Sequence, residues 1–446
     1  MRRNLLNQSL FPGPALLSLV LLLATGCAST PPPSGRPPET SVMKAAFWPP
    51  YPDEPRIQFL TSYLNSKEVE PSRSKLDDLV YGKEKEETQT VSKPYGVRMW
   101  NGKIYVCDLR SNCVVIFDLR KKQTLIMGKS GSEPLQTPTD IAIADDGTKY
   151  VTDTGRGLVV VFDASDKSVN VIGHKDFKPV AAAVYKDDLY VVDTAGKRLE
   201  VFNRHTGQLM RTIGGPGGNI GQFILPISVT VDKNGFIYVM DIMTTRLTKF
   251  DQSGKPVIAY FGTVTATVGG LVRPKHVAVD DNGIIYVVDA AFQNVQLYDQ
   301  NGQVLTYFGS PGNHPGAMYL PAGICVHQGD MDLFKDYFHP AFQPQYLIVV
   351  TNQFGPRRVA VYAFGQLKPG KTVRDIAASK DVVATGLADK TSPNVTTELP
   401  ATQPATLPTL APPQGTPESP QPQTGPPTGN IPGTAIPGNT SDAVKK

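Results

Sequence analysis

Six histidines and four cysteines are the residues of this 446-residue chain best able to do acid–base, nucleophilic or metal chemistry, and their spacing removes most of those options. There is no Cys-x-x-Cys-His for covalent haem. No Gly-x-Ser-x-Gly, Walker or dinucleotide motif stands where a strand-to-helix turn would support it. Gly214-Gly215-Pro216-Gly217-Gly218 is followed by neither a helix nor a Lys-Ser/Thr pair, so it reads as a loop and not a phosphate cradle. His174, His205, His276, His314, His327 and His339 fall at different points of the chain's repeat and do not converge as a zinc set. The pair best suited to proton transfer is Asp140 with His276, each two residues after a proline that opens a strand. Cys107 and Cys113 flank a turn: a bond across the hairpin and strand geometry that holds them apart are both open. Cys325 reads as a small buried apolar residue.

The elements that position these residues come from an internal repeat, the first thing to seek in a chain of this length. A strand opening on proline recurs at Pro94, Pro138, Pro179, Pro226, Pro274 and Pro321. A second strand follows and ends in aspartate at Asp108, Asp153, Asp193, Asp241 and Asp289, with Asn352 in the sixth unit. An aromatic comes nine residues later at Phe117, Phe162, Phe202, Phe250 and Tyr298, and Tyr362 takes that role in the last unit. A fourth strand then runs into Gly128, Gly173, Gly214, Gly262 or Gly309. Four short strands rich in Val, Ile, Tyr and Phe cannot bury both faces alone, so the units must stack. A unit of about 45 residues with four antiparallel strands is a propeller blade, and six of them predict an all-β, six-bladed β-propeller over residues 55–368. The sixth unit lacks its own fourth strand. Arg56-Ile57-Gln58-Phe59-Leu60-Thr61-Ser62-Tyr63 alternates like a strand, so residues 55–63 are expected to close the last blade and cover its open edge. Ser74–Gly82 reads as a short bridging helix. The recurring aspartates are expected to cap the turn between second and third strands.

The Pro-x-Gly/Asp-Val…IYVxD…VxVFD…Gly pattern resembles the NHL repeat from Pro94 to Phe364 and lacks the Trp-Asp pair of WD40 blades. Arg198 and Arg246 match that family's arginine before the third strand, while Cys113, Leu158 and Asn294 replace it elsewhere. The resemblance implies a six-bladed ring. Propellers of this kind include lactonases with a channel calcium held by Glu, Asn and Asp, and amidating lyases with a zinc bound by several histidines. The matching positions here, two after each proline, are Gly96, Asp140, Ala181, Ser228, His276 and Gly323. One carboxylate among six is poor for a hard cation, which needs convergent oxygen ligands. We therefore expect no metal and no cofactor. Asp140, Ser228 and His276 should line a polar, watery channel, with Asp140 in blade 2 and His276 in blade 5 facing one another across it.

The chain ends point to a compartment. Arg2 and Arg3 precede an apolar run, Ala15–Ala24, too short to span a bilayer and suited to a signal peptide. Ala24-Thr25-Gly26-Cys27 resembles the bacterial lipobox, with Ala24 in the place of the usual Leu. Residues 1–26 are thus expected to be a lipoprotein signal, Cys27 the lipidated residue, and residues 27–54 a Pro-rich tether. Ala28, not Asp, follows the cysteine, and the resemblance favours the outer membrane. Acyl chains at about 0.8 kcal/mol per buried CH₂ would hold the protein firmly. Residues 369–446 contain no aromatic and are expected to form a disordered Pro/Thr-rich tail. A net charge of +4 gives no electrostatic footprint for nucleic acid.

Two regions read as recognition surfaces. The turns between second and third strands carry bases, among them Arg110, Arg156, Arg198 and Arg246. An insertion in blade 6, His327 to Gln345, carries Phe338 and Phe342, residue types that anchor interfaces. The function expected is a lipid-anchored scaffold of the cell envelope that binds protein partners or a ligand through one propeller face. The rival is a metal-dependent enzyme, lactonase- or lyase-like, with its site in the channel.

Overall fold

The computed structural model describes residues 45–71, 88–131, 134–261, 267, 269–379 and 382. The signal segment, Cys27, most of the tether, Ser74–Gly82 and the stretch 391–446 lie outside the described residues. Within them the chain is all-β: six antiparallel sheets, one per repeat. Blade 1 runs Pro94–Trp100, Lys103–Asp108, Cys113–Asp118 and Gln123–Met127, and blade 2 runs Pro138–Ile143, Lys149–Asp153, Leu158–Phe162 and Ser168–Ile172. Blade 3 is Pro179–Tyr185, Asp188–Asp193, Arg198–Asn203 and Leu209–Ile213; blade 4 is Pro226–Val231, Ile237–Asp241, Arg246–Phe250 and Pro256–Phe261. Blade 5 comprises Pro274–Val279, Ile285–Asp289, Asn294–Tyr298 and Val304–Phe308. Each proline strand contacts the proline strands of the blades before and after it, which closes the ring.

Burial follows this geometry. Second strands such as Ile237–Asp241 are buried at every residue because both faces meet a neighbouring blade. Outer strands such as Leu209–Ile213 are mostly exposed. The core is divided into six clusters, one at each blade-to-blade interface. Tyr105, Tyr150, Tyr190, Tyr238 and Tyr286, the repeated tyrosines of the second strands, are fully buried within them.

Blade 6 is assembled from both ends of the propeller. Pro321–His327, Phe342–Asn352 and Val359–Leu367 are joined by Ile57–Tyr63, which pairs antiparallel with the last of these (Ile57 opposite Phe364, Tyr63 opposite Val359). A two-residue fifth strand, Phe47–Trp48, lies outside Ile57–Tyr63. Trp48 is buried against Phe308 and Tyr362, with ring centroids 6.4 and 6.0 Å away. The chain also stays on the propeller beyond residue 369. Thr372 begins a short helix, Val373–Ala377, whose Ile376 enters the core between blades 6 and 1, and Val382 bridges Ala45. The expected disordered tail from residue 369 is therefore ordered over residues 369–379, a segment docked by Ile376 with Val382 packed beyond it.

Candidate functional site

The turn between second and third strands and the connector between blades meet at one end of the disc, and the repeated aspartates bind both. Asp241 accepts N–H groups from Ile224 and Leu225 in the connector (2.7 and 2.9 Å) and from Met243 and Thr244 in the turn (3.0 and 3.1 Å). Asp108, Asp153 and Asp289 repeat the pattern. The expected turn cap is present and also fastens the preceding connector, which spacing within one repeat does not reveal.

At the axis, the structure brings together what the sequence set on opposite sides of a watery channel. His276 Nε2 lies 3.5 Å from Asp140 Oδ2, and both side chains are 1 % exposed. The ring is tight because small residues let inner strands approach: a Cβ on Gly96 would sit 2.5 Å from Asp140 Cα, and one on Gly323 would collide with the Tyr95 carbonyl. Asp140 Oδ2 accepts Ala182 N–H of blade 3 (3.2 Å), and Ser228 Oγ accepts Val277 N–H of blade 5 (3.2 Å). Two of the expected channel residues thus join neighbouring inner strands. Burial alone would push the Asp140 carboxyl up, but Arg98, at 4.0 Å, and His276 outweigh it and hold it below the ordinary range. Among the described residues, neither ring nitrogen of His276 nor Asp140 Oδ1 has a hydrogen-bond partner, so the site could hold one small polar molecule between a carboxylate, an imidazole and a guanidinium.

The bases of the connector end divide into two kinds. Arg110 and Lys197 are exposed, and Arg156 is half-buried. Arg198 is engaged: its Nε lies 2.7 Å from Glu200 Oε1, and its guanidinium also reaches Asp193. Arg246 donates to the carbonyls of Gly218, Asn219 and Gln222 at 2.8–3.0 Å and holds the connector between blades 3 and 4. Both guanidiniums thus also bind within the propeller, a role that the sequence reading of these two did not include. The sequence reading of Phe342 is corrected. It is fully buried with Phe334 in the core between blades 6 and 1, and Phe338 packs half-buried against the same cluster. The insertion is stitched to the closing strand by Gln58, which donates to Tyr337 O (2.7 Å) and accepts from His339 N (3.2 Å).

Glu200 was missed. It is fully buried in the third strand of blade 3, with His174 Nε2 at 2.9 Å, and with His174 and Asp193 it places three ligand-type atoms within 4.8 Å of one another. Arg198 Nη2 at 2.6 Å and His174 Nε2 at 2.9 Å already engage it, so the group is a polar side-chain cluster as it stands. The signal was in the sequence: Glu200 is an acid in a strand of apolar residues, two places from an arginine on the same face. Cys107 and Cys113 sit on opposite faces of blade 1, since Cys107 is opposite Val114 and Cys113 opposite Asp108, and they enter different core clusters. Both are free, and burial pushes the Cys113 thiol up to about 11.

With this geometry in hand, comparison with known proteins gives a fold and little more. The sequence profile of a family described as a 6-bladed beta-propeller matches residues 178–260, which span blades 3 and 4. No curated protein matches the chain. Among solved structures, it is similar to a protein of unknown function from Bacteroides thetaiotaomicron, at 16 % identity over 69 % of this chain and 75 % of that one, with a TM-score of 0.48. It is also similar to virginiamycin B lyase from Staphylococcus aureus (13 % identity, 62 % and 96 % covered, TM-score 0.42). A calcium-binding regucalcin from Agrobacterium tumefaciens gives 11 % identity, 62 % and 91 % covered, and a TM-score of 0.44.

Proposed function

We propose that this propeller is a recognition module of the bacterial cell envelope, an NHL-type ring held to the outer membrane by a lipid on Cys27, and that it acts through its connector face. The observation that carries this reading is the axis. Asp140 and His276 lie 3.5 Å apart with 1 % of each side chain exposed, so the best acid–base pair at the axis is shut off from solvent, whereas a substrate site is an open cleft of about 300 Å³ or more. The connector face, in contrast, presents Arg110 and Lys197 to solvent, Arg110 on a turn fixed by the buried Asp108. Cys27→Ala should convert a membrane-bound protein into an unprocessed or soluble one, read by detergent partitioning and intact mass. Asp140→Asn with His276→Gln should leave envelope contacts unchanged, while Arg110→Glu with Lys197→Glu should weaken them in crosslinking on native membranes. Unchanged crosslinks in the second pair, together with stoichiometric calcium or zinc in the purified protein, would decide for a channel enzyme.

A further inference from the structure

The two ends of the disc differ in what they show to solvent. At the connector end Ile220, Ile224, Met243, Val272 and Phe354 are exposed, Met243 by 62 % and Phe354 by 56 %. These are not loose tips. Ile224 and Met243 hang from the Asp241 carboxylate, Val272 N–H donates to Asp289 (2.7 Å), and Phe354 N–H donates to Tyr319 O (3.3 Å). They fall on the turns of blades 4 and 6 and on the connectors entering blades 4 and 5. Among the described residues, the hairpin end exposes two large apolar side chains of this kind, Tyr51 in the turn before Ile57 and Tyr337 of the blade 6 insertion. Charge is sorted as well. Arg110, Lys178, Lys197 and Arg273 are exposed at the connector end, and among the described residues of its turns and connectors the exposed acids are Asp176 and, in the connector entering blade 1, Glu68 and Glu70.

The chain's start heads the same way. Ile57–Tyr63 runs from the hairpin end toward the connector end, where Tyr63 meets Val359. Phe47–Trp48 is antiparallel to it and Ala46 pairs with Phe59, so the chain followed backward from Trp48 to Ala45 points to the connector end.

We propose that the connector face lies on an anionic phospholipid bilayer, with Met243, Phe354, Ile220 and Val272 entering the headgroup layer and the surrounding bases held by lipid phosphates. Exposed apolar side chains at one end of the ring, accompanied by more exposed bases than acids, match a bilayer surface, where binding grows with buried apolar area and with each base near anionic lipid. The inference rests on the recognition reading above and names what is recognised.

The test uses the full lipidated protein in vesicles of phosphatidylethanolamine and phosphatidylglycerol. Cys107, Cys113 and Cys325 are buried, so one introduced thiol takes an environment-sensitive fluorophore selectively. At Met243→Cys or Phe354→Cys the emission should shift to the blue and be quenched by lipids carrying a spin label. At Ser253→Cys, on a hairpin turn, it should do neither. Arg110→Glu with Lys197→Glu should lower the ratio of docked to undocked face, read from the blue shift and quenching of the probe at 243, at least about twenty-five-fold, at about fivefold per base, and added salt should act in the same direction. Probes at 243 and 354 that stay in water overturn the inference. If they stay in water while a crosslinker at 243 joins the face to a protein in native membranes, the face binds protein: the membrane inference falls and the recognition reading stands. If neither happens, both fall.

Discussion

Blade 4 and blade 6 are the same kind of sheet made in different ways. Blade 4 is one continuous stretch, Pro226 to Phe261, and its turn and connector are clamped by a single carboxylate, Asp241, with four N–H groups. Blade 6 takes its outer strand from the other end of the propeller. Its clamp is Asn352, whose Oδ1 accepts from Tyr319 N–H (3.1 Å) and whose amide donates to Arg357 O (2.7 Å). What the weaker clamp omits, side-chain packing supplies: Trp48, Phe59, Phe334 and Phe342 are buried around this blade. A repeat in a ring can lose its motif where a non-local element takes over the work of holding the edge.

The sharpest way to break this comparison is to delete residues 45–63. The loss removes two strands and the buried Trp48 and Phe59 and leaves Val359–Leu367 as a bare edge, so the whole ring should fail to melt cooperatively by calorimetry. Removing residues 391–446 should leave the melting temperature within about a degree. Equal damage from the two truncations would mean the closing strand is dispensable. Next in size, Phe59→Ala and Phe250→Ala should each cost about 3–5 kcal/mol in denaturant unfolding, since both rings are buried. A much smaller loss at Phe59 would show a loose seam.

Asp241→Ala should cost about 3 kcal/mol, because it orphans N–H groups on two segments, and Asn352→Ala about 1 kcal/mol. Reversal of that order would mean the sixth clamp is not the weaker one. The smallest effect is a pH dependence. Partial burial pulls the His174 ring down, but the Lys175 carbonyl and the Glu200 carboxylate outweigh it and raise its pKa above 6.5. Its contribution is therefore fully present below pH 6.5 and lost as pH rises through the raised folded value. With the side chain 35 % exposed, screening reduces this to a few tenths of a kcal/mol. Ring-proton NMR should give a titration midpoint above that of a free histidine, and Glu200→Gln should bring it back.

The repeat was legible because it is local: proline, aspartate and aromatic recur at fixed offsets, and Ile57–Tyr63 advertised itself by alternation beside a unit lacking a strand. What stayed hidden depends on partners distant in sequence. Nothing around Arg246 tells that three carbonyls more than 20 residues away surround it. Phe342 looked exposed because it lies in an insertion, yet it opens the long strand Phe342–Asn352 and turns inward. Asp140 and His276 were assigned to the correct position of the repeat, but their contact depends on how narrow the ring is, which the glycines at 96 and 323 set.

The closing strand also imposes an order in time. Residues 57–63 emerge, from the ribosome or across a membrane, roughly 300 residues before their partner, Val359–Leu367. For that interval the nascent chain carries an amphipathic strand with nothing to pair with, while five blades can stack as an open arc. The last event in making the disc is therefore a long-range capture, slow by its contact order. A holding factor that shields the first strand would raise the yield of closed rings without altering their final stability.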